Sequence, residues 1–222
     1  MIRALAVLFC IISLASASVH NLIVASAHKT THEIISEPFV GGGSQCSATA
    51  IGPHALLTAS HCEEPVESLS VDGKTAKILS LSRDGFDHTI YWLDITFTDY
   101  AKFSAEESQV GDDIFIFGNP GSNSDLFRKG YVSNIPGIKA PAKDLFTAIF
   151  GGSSRPSPIV YDLNGWMGDS GAAIFNSTGE IVGVVSVAMI DNSDKEGWPA
   201  FKVQCGFPIK FSEDVLKRAL QK

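Results

Sequence analysis

Apolar residues occur along this chain in many short runs that are separated by Gly, Pro, Asn and Ser, with little helical periodicity. Runs of this length and spacing predict β-strands and an all-β architecture. The clearest runs are residues 48–51, 55–58, 114–117, 172–175 and 181–187. Only the C-terminus predicts a helix, over about 212–221, because Ser212 is a suitable N-cap and acidic residues follow it ahead of an apolar stripe.

The first 17 residues have the three-part pattern of a secretory signal peptide. The basic Arg3 precedes an apolar run from Ala4 to Leu14, and Ala15-Ser16-Ala17 supplies a small-residue cleavage site. The apolar run is too short to span a bilayer. We therefore expect residues 1–17 to be removed and residues 18–222 to form one domain of a secreted or periplasmic protein. A second small-residue site at Ala25-Ser26-Ala27 leaves the exact mature N-terminus open.

The charge balance excludes some classes of partner. The chain has 24 acidic and 17 basic residues, a formal net charge of −7. Because an acidic surface repels phosphate backbones and anionic lipids, we expect no nucleic-acid partner and no membrane contact after signal cleavage. His28 and His32 have the spacing of helical metal ligands, but no carboxylate or cysteine pattern accompanies them, so we expect no metal and no other cofactor. The oligomeric state stays open.

Two segments carry the candidate chemistry, Thr58-Ala59-Ser60-His61-Cys62 and Gly168-Asp169-Ser170-Gly171. A serine hydroxyl is a poor nucleophile until an imidazole takes its proton, and the imidazole needs a carboxylate to fix its tautomer. The chain order His, Asp, Ser differs from the order in subtilisin-type enzymes and in α/β-hydrolases. Ala172 also stands where the α/β-hydrolase turn requires Gly.

These two segments resemble those of the chymotrypsin-like (trypsin-fold) serine peptidases, and the chain is most similar to the short bacterial HtrA-like (DegP-type) branch without a PDZ domain. Further segments that resemble this branch are Val110-Gly111-Asp112, Gly118-Asn119-Pro120, Gly130-Tyr131-Val132-Ser133 and Cys205-Gly206-Phe207-Pro208-Ile209. The resemblance implies two packed six-stranded antiparallel β-barrels, at about 19–100 and about 110–210, followed by the C-terminal helix.

The resemblance also implies a catalytic triad of His61, Asp94 and Ser170. We choose Asp94 because Leu93-Asp94-Ile95-Thr96-Phe97 looks like the Asp-Ile-Ala-Leu stretch of the family. Asp87 is the alternative and Asp99 is less favoured. The N–H groups of Gly168 and Ser170 would form the oxyanion hole.

Asp169 raises the question of activation. In trypsin-like zymogens the matching aspartate pairs with a new N-terminal amine, typically at Ile-Val-Gly-Gly. The nearest candidate here, Ile23-Val24-Ala25-Ser26, departs from that pattern. We therefore expect another cation, Arg128 or Arg155, to pair with Asp169 if it is buried.

The resemblance further implies a disulfide between Cys46 and Cys62 that braces the histidine loop, since Cys46 lies 15 residues before His61. Cys205 is then left over, and we expect it to be buried and unreactive.

The substrate pocket would be formed by Asn164, Ser186, Val187, Ala188 and Gly206. Trypsins place the aspartate that selects Lys or Arg six residues before the serine, and this chain has the neutral Asn164 there. With the methyl group of Ala188 in the pocket wall, this predicts small or medium apolar residues before the scissile bond.

The function predicted from the sequence is that of a secreted serine endopeptidase, which hydrolyses polypeptide substrates through an acyl-enzyme. Two alternatives stay open. A catalytically silent member could bind a partner through the same cleft, because fold does not guarantee function. An esterase could use the same triad.

Overall fold

The computed structural model describes residues 18–36, 45–63, 67–122, 125–134, 159–191 and 200–221. The predicted signal peptide at 1–17 and Arg155 lie outside the described residues. Among the helices that are described, none combines the length and the apolar character needed to cross a membrane.

The first half of the chain folds into a closed antiparallel barrel of six strands in the order β1-β2-β3-β6-β5-β4. The strands are β1 (Thr31–Ser36), β2 (Gln45–Gly52), β3 (Ala55–Ala59), β4 (Ser68–Val71), β5 (Lys74–Arg83) and β6 (His88–Leu93). Every residue of β3 and β6 is buried, whereas exposed positions alternate along most of β5. Both faces of β3 and β6 are thus covered, which suits their runs of apolar and β-branched residues.

The second half forms an antiparallel sheet of seven strands in the order β11-β10-β7-β8-β9-β13-β12. The strands are β7 (Asp113–Gly118), β8 (Leu126–Asn134), β9 (Ile159–Asp162), β10 (Ala173–Asn176), β11 (Ile181–Val184), β12 (Val187–Asp191) and β13 (Ala200–Gly206). The edge strands β11 and β12 are separated along the chain only by Val185 and Ser186, so the sheet curves back into a nearly closed barrel. If β11 and β12 are taken as one bent strand, this barrel has six strands, and the predicted two-barrel fold is confirmed.

The N-terminal boundary differs from the sequence-based expectation. Residues 18–28 are helical, and the first strand begins only at Thr31 rather than near residue 19. Ile23, Val24 and Ala27 of this helical segment pack on the core of the first barrel. Their i, i+1, i+4 spacing is a helical pattern, whereas the sequence analysis predicted a helix only at the C-terminus.

The C-terminal helix, Glu213–Ala219, confirms the predicted element and its cap. The Val215 N–H donates to the Ser212 hydroxyl at 3.4 Å, and Glu213 and Asp214 occupy the first turn. Ala219 is buried against the first barrel. The chain therefore returns from the second barrel to cover the first.

The two barrels share one apolar core where they meet. Phe115, Phe117 and Phe175 of the second barrel belong to the same buried cluster as the strands of the first barrel. A separate cluster with Ile116 and Tyr161 fills the interior of the second barrel. The packed aromatic layer fixes the relative position of the barrels, and the candidate site lies at this junction.

Candidate active site

His61 lies in a single 3-10 turn, Ser60–Cys62, directly after β3. Cys62 forms a disulfide with Cys46 on β2, as expected. The turn that carries the imidazole is thus bonded covalently to the neighbouring strand of the barrel.

The carboxylate of Asp87 holds His61 at two points. Its Oδ1 accepts the His61 main-chain N–H at 2.9 Å, and its Oδ2 lies 2.9 Å from His61 Nδ1. The Asp87 side chain is 2% exposed and the imidazole is 31% exposed. A carboxylate at Nδ1 keeps a proton on that nitrogen and leaves Nε2 to accept another from a nucleophile.

The assignment of Asp94 to the triad is therefore wrong. Asp94 is exposed, and its carboxylate accepts the Lys77 main-chain N–H at 2.7 Å. The physical reason is the strand direction: β3 runs into His61, and its antiparallel neighbour β6 begins opposite Ala59, with His88. Asp87 precedes β6 and lies beside His61. Asp94 follows β6, about 23 Å further along the strand at roughly 3.3 Å per residue.

A signal for Asp87 was present in the sequence. Asp87-His88-Thr89-Ile90 enters a fully buried strand and has the same spacing as the family's Asp-Ile-Ala-Leu stretch. The resemblance is weaker here than at Asp94, because His88 occupies the second position, where the family stretch has the apolar Ile.

His88 and Asp84 form a buried pair behind Asp87. Asp84 Oδ2 lies 2.6 Å from His88 Nδ1 and accepts the Lys210 main-chain N–H at 3.0 Å, while Oδ1 accepts the Phe86 N–H at 2.8 Å. Both side chains of the pair are fully buried. Burial disfavours the charge on Asp84, but His88 and these N–H groups outweigh it and lower the pKa of Asp84.

This pair stabilises an unfavourable backbone conformation. Asp87 has φ of +76°, a left-handed conformation that non-glycine residues seldom adopt. Its carbonyl accepts the Ser60 N–H at 3.0 Å, and the Asp84–His88 pair spans the same turn. The main chain of the catalytic candidate Asp87 is therefore held by the Ser60 N–H at its carbonyl and by the Asp84–His88 pair that flanks it.

Ser170 lies in a turn that is bonded to the first barrel. Its carbonyl oxygen accepts the Ser47 N–H at 2.8 Å and lies 3.7 Å from Cys62 Sγ. Gly171 has φ of +86°, and a side chain there would overlap Thr58 and the Ser47 carbonyl. The residue after His61 thus contacts the Ser170 main chain, so the structure brings together the two segments that carry the predicted chemistry.

The peptide groups of this turn leave two N–H groups available. Gly168 has φ of +102°, and the Met167 carbonyl accepts the Gly121 N–H at 3.1 Å. Within the described residues, the N–H groups of Gly168 and Ser170 donate no hydrogen bond to the protein. Two unused donors beside a serine hydroxyl could bind a negatively charged oxygen.

Asp169 is fully buried and forms an ion pair with Arg128 of β8. Its second oxygen, Oδ2, accepts the Trp166 N–H at 2.6 Å. Burial raises the pKa of Asp169 despite the hydrogen bonds from Arg128 and Trp166. A side chain at Gly118 would overlap both members of the pair, so this glycine makes room for it. Of the two cations expected for Asp169, Arg128 and Arg155, it is Arg128 that forms the ion pair.

The predicted pocket residues are only partly described. The Ser186 N–H donates to the Cys205 carbonyl at 3.0 Å, and a side chain at Gly206 would overlap the Val184 carbonyl. The side chains of Val187 and Ala188 lie outside the described residues.

Asn164 is exposed and borders a surface depression together with Asp113, Lys129, Gly130, Tyr131 and Asp162. Within the described residues, no main-chain hydrogen bond joins Asn164 to Ser186 or Gly206. The pocket therefore stays a prediction.

Cys205 is buried, and burial raises the pKa of its thiol to about 12. A thiol with this pKa carries almost no thiolate at neutral pH and is a poor nucleophile. In the part of the chain that the structure describes, no group of three His, Cys, Asp or Glu side chains is arranged to hold a metal ion.

Comparisons with known proteins agree with this fold. The trypsin-like peptidase domain family matches residues 46–184, more than half of the chain, and the chain belongs to that family. The serine endoprotease DegS of Haemophilus influenzae is 29% identical over 120 residues, which are 53% of this chain but only 31% of DegS.

Solved structures show the same fold at low sequence identity. The HtrA-type protease AlgW with a tripeptide superposes with a TM-score of 0.69 at 17% identity, over 91% of this chain and 64% of AlgW. The active form of the Rv3671c protease from M. tuberculosis gives a TM-score of 0.66 at 19% identity, over 86% of this chain and 81% of that one.

Proposed function

We propose that this protein is a serine endopeptidase that acts on polypeptides. Ser170 attacks the carbonyl carbon of a peptide bond while His61 Nε2 takes the hydroxyl proton, and His61 then donates that proton to the leaving amine as the C–N bond breaks. Water hydrolyses the acyl-enzyme by the same proton transfers. Asp87 orients His61, and the N–H groups of Gly168 and Ser170 bind the oxyanion.

The observation that carries this proposal is the two-point contact of Asp87 with His61, in a turn whose next residue contacts the Ser170 main chain. A protein that only binds partners has no need for two unused N–H groups around its serine. Their presence therefore favours catalysis over the silent alternative.

The Asp169–Arg128 ion pair supports an active turn without zymogen cleavage. The buried carboxylate of Asp169 already has a cation within the same barrel, so it does not require a new N-terminal amine. Activity would then be present in the chain as it folds.

For the substrate, we retain small or medium apolar residues before the scissile bond, on the basis of the neutral Asn164 and the methyl group of Ala188. A peptide library with a variable residue at this position tests the preference, and strong selection of Lys or Arg would contradict it.

For the location of the protein, the Cys46–Cys62 disulfide supports an oxidising compartment, either secreted or periplasmic.

Labelling with a fluorophosphonate probe tests the catalytic proposal. The wild-type chain should be labelled, and Ser170→Ala and His61→Ala should lose the label. Ser177→Ala, in the exposed turn after β10, is the matched control and should be labelled like the wild type. Turnover of matched peptide amides and esters is measured on the same samples.

Each other outcome has a definite meaning. A folded wild-type chain without label or turnover would establish the silent binding protein. Hydrolysis of esters without amides would establish the esterase. Label retained in Ser170→Ala would place the nucleophile elsewhere.

A further inference from the structure

Ser47 is a buried residue of β2 that contacts the Ser170 turn from the opposite barrel. It is 0% exposed, and 121 residues separate it from Gly168. Its main-chain N–H donates to the Ser170 carbonyl at 2.8 Å, and its hydroxyl donates to the Gly168 carbonyl at 2.8 Å. One residue thus binds both residues whose N–H groups we assign to the oxyanion hole.

The same hydroxyl also binds the loop that supports the turn. Ser47 Oγ accepts the Asn119 main-chain N–H at 2.9 Å, with Asn119 Nδ2 at 3.3 Å. Two residues later, the Gly121 N–H donates to the Met167 carbonyl. Ser47 Oγ is therefore a donor to the turn and an acceptor from the loop that binds the preceding carbonyl of the turn.

Together these bonds fix four consecutive carbonyls, those of residues 167 to 170. Gly121 holds the first, the Ser47 hydroxyl the second, the Ala172 N–H the third at 2.9 Å, and the Ser47 N–H the fourth. Since a peptide group is planar, a fixed carbonyl also fixes the direction of the N–H in the same plane. The N–H groups of Gly168 and Ser170 lie in the first and third of these planes.

We propose that Ser47 is a positioning residue for the oxyanion hole. Through its hydroxyl, the first barrel holds the oxyanion N–H groups of the second barrel in their catalytic direction. The proposal rests on the proposed function. Without the hydroxyl, the 168–169 peptide keeps only the bond from its Asp169 N–H to the Trp166 carbonyl at 3.1 Å. The Asn119 N–H is then left buried without the acceptor that it has in the wild type. The two planes that carry the oxyanion donors then have more freedom to rotate, and binding of the transition state should weaken more than binding of the substrate.

The test uses Ser47→Ala, which removes only the hydroxyl and keeps the main-chain bond to Ser170. Loss of one oxyanion donor costs about 10²–10³ in kcat, so a residue that positions the donors should cost less, about 10-fold to 100-fold. We expect this loss in kcat and in the rate of fluorophosphonate labelling, with KM changed by less than about threefold. Affinity for a peptide boronic acid, which forms a tetrahedral adduct, should fall by the same factor as kcat.

Thr49→Val is the matched control. Thr49 is also buried on β2, and its hydroxyl also bridges the barrels, but it accepts the Ala173 N–H at 3.3 Å rather than a group of the oxyanion turn. This variant should lose a similar amount of thermal stability while its kcat stays within about threefold of the wild type. If Ser47→Ala does not fold, Ser47→Cys, which keeps a weaker donor in place, takes its position in the test.

The outcomes separate the two proposals. If the wild type is active and kcat falls no further in Ser47→Ala than in Thr49→Val, the role of Ser47 is overturned. A rise in the KM of Ser47→Ala by the same factor as its fall in kcat would also overturn it. A wild type without label or turnover would overturn the proposed function instead.

Discussion

The two turns that carry the candidate chemistry are stabilised in different ways. The Asp87 turn is mainly local: Asp84 pairs with His88 four residues later, and His61 comes from the adjacent strand of the same barrel. Its distant contact is the Lys210 N–H, which donates to Asp84 from 126 residues away. The Ser170 turn is assembled from distant segments, with Arg128 41 residues away and Ser47 across the barrel junction. The first turn therefore depends mainly on contacts within its own barrel, whereas the second requires both barrels to be packed.

The buried carboxylates behind these turns also differ in their electrostatics. Asp84 accepts enough hydrogen bonds to lower its pKa in spite of burial. For Asp169, burial outweighs its ion pair and raises the pKa. The histidine side of the site thus stabilises its buried charge, and the serine side contains a buried charge that burial disfavours.

The largest expected effect is on the histidine side. Asp87→Asn should lower kcat by about 10⁴, because the amide favours the wrong tautomer of His61, while the fold is retained. Steady-state kinetics on a peptide amide, with circular dichroism to confirm folding, measure this effect.

Asp94→Asn is the control for this prediction, since Asp94 is the same residue type at the other end of β6. Its kcat should be unchanged. A large loss in Asp94→Asn with little loss in Asp87→Asn would reverse the assignment of the triad.

On the serine side, Arg128→Met should destabilise the protein by about 3–5 kcal/mol, because it leaves the Asp169 carboxylate buried without a cation. The rate of labelling should fall as the turn loses its support.

Asp169→Asn should also slow labelling, but it should cost less stability. A neutral amide is easier to bury than the carboxylate, whose pKa burial already raises.

Lys129→Met is the matched control for Arg128→Met. Lys129 is the next residue of β8, and its ion pair with Asp113 is exposed, which limits its expected contribution to about 0–1 kcal/mol. Urea denaturation of the three variants gives the comparison. Equal losses in Arg128→Met and Lys129→Met would show that the buried pair has no special role.

The same contrast between local and distant contacts explains what the sequence could predict. His61 and Ser170 lie in short motifs that resemble those of a known family, and the resemblance implies the Cys46–Cys62 pair and the two-barrel fold. The Ser212 cap follows from the local sequence, and the short apolar runs predict the all-β class. Asp87 was only the alternative to Asp94, because an aspartate stands at each end of β6 and only the antiparallel pairing with β3 decides between them.

The contacts of Ser47 could not be predicted from the sequence. Nothing local marks this serine, and its partners at Gly168 and Asn119 lie 121 and 72 residues away. Arg128 could be named only as one of two cations for Asp169. Which arginine pairs with it depends on β8 crossing the second barrel behind the turn.

The smallest expected effect is a difference in pH dependence between the two carboxylates. Because the folded-state pKa of Asp84 is lowered, its contribution to stability is complete above the ordinary value of 3.8 and is lost as pH falls through the lowered pKa. Asp84→Asn should therefore cost about 1–3 kcal/mol at neutral pH, and this deficit should shrink on acidification below about pH 4.

For Asp169 the sign is opposite. Its folded-state pKa is raised, so the folded protein binds this proton more tightly than the unfolded chain, and stability from this group falls as pH rises from 3.8 through the raised pKa. The deficit of Asp169→Asn relative to wild type should then grow on acidification over this window. Urea denaturation of both variants from pH 3 to 7 measures the two slopes. If the stability deficits of the two variants change with pH in the same direction, Asp84 and Asp169 have pKa shifts of the same sign. The proposed electrostatic difference between the two turns would then be wrong.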